Sequence, residues 1–325
     1  MSDNILENRH DFLLIFEVTN GNPNGDPDAG NLPRLDPNTN RGFVSDVCLK
    51  RKIRNYVEKF PAARKSDVAN GFDILIKSGT VIENEQTEAE DEGKKQNSDL
   101  KGASPEERAK NWLCREFYDV RTFGAVVSTG KGILNGSPFG QVQGPVQLTF
   151  AQSFDPITPL EITITRCCVT KNEDEKKERT MGNKYIVPYA LYAAKGYGSP
   201  AFAERTGFTK DDLRLLFEAI LNMFEHDRAA GRGEMIVRGL YDFEHCGTQH
   251  PNNAEQNKRE ARVGCFHSHK LFEGIKVSLK EGKTFPQSYE DYKVECAWNE
   301  KNLPPGIKLN FLHEPAKSPL GPIQG

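Results

Sequence analysis

The chain of 325 residues is 37% hydrophobic and 27% charged, enough for a buried core in one domain with insertions. A net charge of −3 excludes a globally basic nucleic-acid binder but leaves room for a local cationic patch. Apolar runs such as Phe12 to Phe16 fall far below the roughly 18 residues of a membrane span, the N-terminus lacks signal-peptide features, and the seven cysteines form no disulfide framework, so a cytoplasmic protein is expected.

The first element, Phe12 to Thr19, is apolar on both faces and is predicted to be a central strand. Residues 20–40 form a loop rich in Asn, Gly, Pro and Asp, too full of breakers for regular structure. Ser45 then caps a helix with Asp46 in its first turn, and Leu49, Ile53, Tyr56, Val57 and Phe60 form its buried stripe. Residues 83–104 open with a strongly acidic stretch: seven acids against two lysines between Glu83 and Asp99, with no aromatic. Such a composition predicts a flexible insertion.

Ser104-Pro105-Glu106-Glu107 opens a helix through Trp112, Leu113 and Phe117. Alternation at Val146, Leu148 and Phe150, and again at Ile162 and Ile164, predicts strands. Thr209 and Asp212 form a capping box before a helix carrying Leu213, Leu216, Phe217, Ile220 and Phe224, which is expected to end at Gly231. Met235 to Phe243 and Ile275 to Leu279 are further strands, and residues 303–325 make a Pro-rich, surface-laid or mobile tail. The order is that of a single α+β domain with the βαββαβ ferredoxin-like pattern and long excursions.

No constellation in the chain demands catalysis, a metal or another cofactor. The Asn20 loop resembles a calcium loop, but Asn stands at its first position and Asn31 at its twelfth, where carboxylates are needed. Gly124 and Gly130-Lys131-Gly132 miss the spacing and the hydroxyl of a phosphate loop, which leaves Lys131 in a glycine-rich turn able to approach a nucleic-acid backbone. His245, Cys246, His250, Cys265, His267 and His269 contain no Cys-x-x-Cys pair and are taken as surface and turn residues rather than zinc ligands. The clearer signal is a charge run. Between Arg41 and Lys65 there are eight basic residues and two acids, and Lys50, Arg51 and Arg54 form a cationic strip on the first helix, a surface suited to phosphates.

Four motifs occur in a familiar order: Phe16 to Asp28 (FEVTNGNPNGDPD), Tyr118 to Gly124 (YDVRTFG), Ile186 to Tyr192 (IVPYALY) and Asn222 to Arg228 (NMFEHDR). Together they resemble the repeated guide-RNA-binding backbone subunit of type I CRISPR surveillance (Cascade) complexes, most closely subtype I-C. That resemblance implies a modified RNA-recognition palm with finger-like insertions and a thumb β-hairpin, expected within residues 169–187. It implies a non-catalytic scaffold whose identical copies stack head to tail along one CRISPR RNA. The scaffold presents the spacer for pairing with a target DNA strand, other Cascade subunits cap each end, and a recruited helicase-nuclease cuts.

Carried onto this chain, the resemblance assigns nucleic-acid contacts to Asn22, Asn24, Arg34, Arg41, Ser45, Lys50, Arg51 and Arg54. Met181, Lys184 and Tyr185 would serve on the thumb as wedge, phosphate cation and stacking ring, or would simply pack at its base. Arg121 and Phe123 would touch RNA or the neighbouring copy. The alternative is a metal-independent endoribonuclease that processes precursor CRISPR RNA with His10, or next His226, as general base.

Overall fold

The computed structural model describes residues 4–63, 71–95, 100–128, 132–165, 167–168, 181–248, 253–299 and 301–312. β1 (His10–Gly21) is followed by a small ribbon of β2 (Gly25–Asp26) and β3 (Leu32–Pro33), then β4 (Arg41–Val44) and α1 (Asp46–Ala63). Three helices follow: α2 (Ile82–Lys94), α3 (Pro105–Glu116) and α4 (Tyr118–Phe123). Next come the short strands β5 (Gly124–Val126), β6 (Gln141–Gln143) and β7 (Val146–Leu148), then β8 (Ala151–Pro156), β9 (Leu160–Thr165) and the long β10 (Met181–Gly198). α5 (Pro200–Thr206) and α6 (Lys210–Asn222) lead to β11 (Glu234–His245), α7 (Ala254–Val263) and α8 (Ser268–Glu273). The last strands are β12 (Ile275–Leu279), β13 (Tyr292–Cys296) and β14 (Ile307–Leu312).

The result is a mixed α/β fold on an antiparallel sheet ordered β14-β11-β1-β10-β8-β4. β1 lies at its centre because it is apolar on both faces, and each face has a cover. Phe12, Leu14, Phe16 and Val18 turn to one side, where Leu49, Ile53 and Val57 of α1 and Leu213, Leu216 and Ile220 of α6 complete a core. Leu13 and Ile15 turn to the other, against Leu271 and Phe272 of α8 and Ile275 and Tyr292 of the β12–β13 hairpin. Each fully buried Leu, Ile or Phe contributes about 1.5–3 kcal/mol, and aromatic contacts fix the layers. Phe16 stacks on Tyr192 at 5.4 Å, and Phe12 meets Phe217 edge-on at 5.4 Å. Close approach also limits residue choice: a Cβ on Gly196 would sit 2.1 Å from the Phe12 ring.

A third cluster lies apart from the sheet, where Leu75, Ala89, Trp112, Leu113, Phe117, Val120 and Val142 pack among α2, α3 and α4. It corrects the flexible insertion expected from the acidic stretch. α2 is a helix whose Gln86, Ala89, Glu90 and Gly93 are buried. Glu83, Glu88 and Asp91 face solvent, while small residues let the backbone close on α3. A Cβ on Gly93 would lie 2.5 Å from the Pro105 carbonyl oxygen.

Other expectations change at their edges. The Asn-rich loop holds the β2–β3 ribbon, with Asn20, Asn31 and Asn40 at positive φ, a region Asn tolerates. The Thr209–Asp212 capping box forms as expected, but α6 stops at Asn222, well before Gly231. Ile307–Leu312 of the expected tail is an edge strand paired with β11. The hairpin expected within 169–187 begins earlier, since β9 from Leu160 pairs with Met181–Ile186 of β10; residues 169–180 lie outside the described residues.

Candidate nucleic-acid interface

β10 is longer than its neighbours in the sheet. Residues Val187 to Gly198 pair with β1, whereas Met181 to Ile186 run beyond the sheet and pair only with β9. All six β9 residues are exposed, so this hairpin projects into solvent. At its base, β1 ends at Gly21, opposite Val187, and the Asn22 amide donates to the Gly231 carbonyl at 2.6 Å. Three segments thus converge on an open groove of about 290 Å3. They are the loop at Asn22, Gly25, Gly30 and Asn31; the hairpin at Asn183, Lys184 and Tyr185; and the turn at Gly231 and Arg232.

The groove's chemistry suits a polyanion. Among the described residues, the Lys184 ammonium and the Tyr185 hydroxyl have no hydrogen-bond or ion-pair partner. Arg232 is tethered to Asp227 at 3.0 Å yet its side chain stays 39% exposed, and Arg34 leans on Asp26 at 3.3 Å. Asn22 Nδ2 donates to the Asn31 carbonyl at 2.7 Å, while its Oδ1 is buried without a partner. At Gly231 no heavy atom lies within 4 Å of where a Cβ would stand, so the backbone there is open to close approach. Cations, an aromatic ring and accessible backbone are the components with which single strands are held.

The structure therefore gathers Asn22, Lys184 and Tyr185 at one place, with Arg34 nearby on β3's neighbouring turn. Met181 stands five residues before Ile186 on the projecting strand and is 67% exposed. Arg41 is exposed on β4 and its guanidinium has no partner among the described residues. Lys131 lies outside the described residues.

The cations of the α1 strip have partners within the chain. Lys50 pairs with Asp46 at 3.0 Å, and Arg51 donates to the Ile76 carbonyl at 3.0 Å. Arg54 binds Asp119 at 2.8 Å, with only 12% of its side chain exposed. Asp119 is a hub, also accepting the amides of Leu75 at 2.9 Å and Ile76 at 3.1 Å, so Arg51 and Arg54 tie α1 to the Ile76 segment and to α4, while Lys50 pairs within α1. Asn24 and Ser45 bind each other: Asn24 Oδ1 accepts both the Ser45 amide and hydroxyl at 2.9 Å, and Cys48 Sγ donates to the Pro23 carbonyl. Together they brace the loop against the start of α1.

Arg121 and Phe123 are also internal. All of α4 is buried, and Arg121 grips Asp212 through two bonds of 3.1 and 2.8 Å. The YDVRTFG motif is a structural joint between α4 and the cap of α6. The groove residues that sequence reasoning did not assign to nucleic acid are Gly25, Gly30, Asn31, Asn183, Gly231 and Arg232. Only Gly231-Arg232-Gly233 carried a visible signal, a glycine-flanked cation.

The two candidate general bases sit elsewhere. His10 is buried, its Nδ1 2.9 Å from Asp242, between strands and away from the groove. His226 is exposed beside the Tyr56 ring, 5.8 Å between centroids. His245 has both ring nitrogens engaged, one with Asp11 at 3.0 Å and the other accepting the Cys265 amide at 2.9 Å, which removes it as a metal ligand. Among the described residues no three His, Cys, Asp or Glu side chains are grouped to hold a metal, and no helix is long and apolar enough to cross a membrane.

Comparison with known proteins places the chain. The family described as CRISPR-associated protein Cas7 matches residues 8–297, and the chain belongs to that family. A Haloferax volcanii protein described as CRISPR-associated protein Cas7 is 26% identical over 224 residues, 64% of this chain; the match spans 62% of that relative's length. Among solved structures, chains described as from a CRISPR RNA-guided surveillance complex and from a CRISPR RNA-guided surveillance complex, pre-nicking, share 16% and 14% identity. Their TM-scores are 0.41 and 0.40, each over 72% of this chain and over 68% and 78% of theirs. A chain from a Type III-B Cmr-beta complex bound to cognate target RNA has 11% identity and a TM-score of 0.38, over 72% of this chain and 60% of its own.

Proposed function

We propose that this chain is a CRISPR-RNA-binding backbone subunit of a type I, subtype I-C-like surveillance complex. It polymerises along the guide spacer and presents it for pairing with a target DNA strand, while other subunits cap each end and a recruited helicase-nuclease cuts. The observation that carries the reading is the groove under the projecting hairpin, in a chain that belongs to the CRISPR-associated protein Cas7 family. The neighbour order β11-β1-β10-β8, with α1 after β1 and α6 before β11, supports an RNA-recognition-like, ferredoxin-like palm. In that frame the β9–β10 hairpin is the thumb and the α2–α4 cluster a finger-like insertion.

A strand in the groove meets Lys184 and Arg232 through its phosphates and Tyr185 through a base. The protein reads backbone, and base pairing reads sequence. Binding of single-stranded RNA across a salt series tests this. Lys184→Ala should lower the slope of log affinity against log salt by about 0.7, whereas Tyr185→Ala should weaken binding at unchanged slope. An unchanged slope in folded Lys184→Ala would remove the groove from the guide's path.

A further inference from the structure

A second surface lies at the β4–β8 edge. Along β4, Gly42 and Val44 are buried on the helix side, and a Cβ on Gly42 would strike the Tyr192 hydroxyl and Ile157. Arg41 and Phe43 alternate to the opposite face, where Phe43 stands directly across from the exposed Gln152 of β8. Phe150 precedes β8 and stacks on Phe43, with ring centroids 6.1 Å apart and planes 13° from parallel. The α8 and β12–β13 cover reaches Phe154 but neither of these two rings, and Phe150 is 56% exposed.

We infer that Phe150, backed by Phe43 and flanked by Arg41 and Gln152, is a stacking platform for an unpaired nucleobase of a single-stranded nucleic acid, with Arg41 on the adjoining phosphate. A near-parallel ring pair whose outer member, Phe150, is more than half exposed can take a third planar ring, and every base supplies one. Charge agrees. The Arg41 guanidinium is unpaired among the described residues, whereas two nearby carboxylates have other partners: Asp36 accepts the Asn38 amide at 2.8 Å and Asp155 of β8 accepts the Tyr292 hydroxyl at 2.6 Å. Gln152 offers a donor and an acceptor to a base edge without selecting one base. A protein partner would call for a wider apolar surround than two rings edged by Arg and Gln.

The platform rests on the proposed strand-binding function and adds a subsite to it. The test is the affinity of the full chain for labelled single strands of RNA and of DNA with one sequence, each intact or made with abasic positions. On intact strands Phe150→Ala should weaken binding about tenfold at unchanged salt slope, and Phe150→Trp should retain affinity. On abasic strands Phe150→Ala should cost nothing further. Arg41→Ala should lower the slope by about 0.7. Loss on RNA puts the guide on the platform and loss on DNA puts a target-derived strand there; either supports it.

Equal affinity of wild type and Phe150→Ala for intact strands would overturn the platform alone, and equal loss on intact and abasic strands would do the same. Loss confined to multi-copy assembly, with single-copy affinity unchanged, would make the surface a contact between copies and overturn it too. Failure of the wild-type protein to bind any single strand would remove the proposed function together with the platform.

Discussion

Buried ionic groups set the geometry of the β1–β11 seam. His10 on β1 faces Asp242, and Asp11 faces His245 and Arg9, so two neighbouring residues lock two strands through opposite partners. Burial by itself would lower the His10 pKa, but the Asp242 carboxylate, with help from Glu244 and Asp11, outweighs it and raises it above the ordinary 6.5. A raised folded-state pKa means that this contribution to stability is fully present below pH 6.5 and is lost as pH rises through the folded value. Replacing His10 by Gln should therefore cost more stability at pH 5.5–6 than at pH 9, read as the difference in urea midpoint from wild type. An equal cost at both would show the imidazole to be neutral throughout.

Single side chains also mark where sequence reading stopped. The apolar stripe of α1 was legible because Leu49, Ile53 and Val57 repeat within one helix. The fate of Arg54 was not, because it meets Asp119 from 65 residues away, nor was that of Arg121 on α4, which meets Asp212 across 91. A charge run looks the same in sequence whether solvent, phosphate or a distant carboxylate receives it. Lys184 and Tyr185 were named through the resemblance; their convergence with Asn31 and Arg232 depends on the long-range antiparallel pairing of β1 with β10.

Among whole elements, strong local signals held. The Thr209–Asp212 box, Ser104 accepting the Glu107 amide at 3.2 Å, and the doubly buried β1 each contain their cause within a few residues. α2 does not. Its order comes from α3, and composition alone weighs charge without seeing that Ala89 and Gly93 lie on one face. β14 was masked by the prolines around it, although Ile307, Leu309 and Phe311 alternate. The contact of α2 with α3 is open to a direct test. Gly93→Val should lower stability by about 1–3 kcal/mol, since its side chain would meet backbone atoms of Pro105 and Ala109, and chemical denaturation reads this. Unchanged stability would mean that α2 separates from α3 in solution.

At the scale of the whole molecule, a sheet covered on both faces carries the two proposed strand-binding surfaces, the hairpin groove and the aromatic edge. Copies that meet through unlike surfaces form an open helix when the rotation between them does not close a ring, and something outside the protein must then fix their number. In the proposed assembly that ruler is the guide RNA, which raises the effective concentration of each added copy along one strand. A net charge of −3 keeps repulsion between neighbours small while local cations meet phosphate. The most direct measurement is the mass of complexes reconstituted from the full chain on guides of graded length. Copy number should rise in steps as the spacer lengthens, with small or heterogeneous protein in the absence of RNA. One fixed stoichiometry on every guide would contradict the scaffold and point to a closed oligomer or a single-site RNA binder.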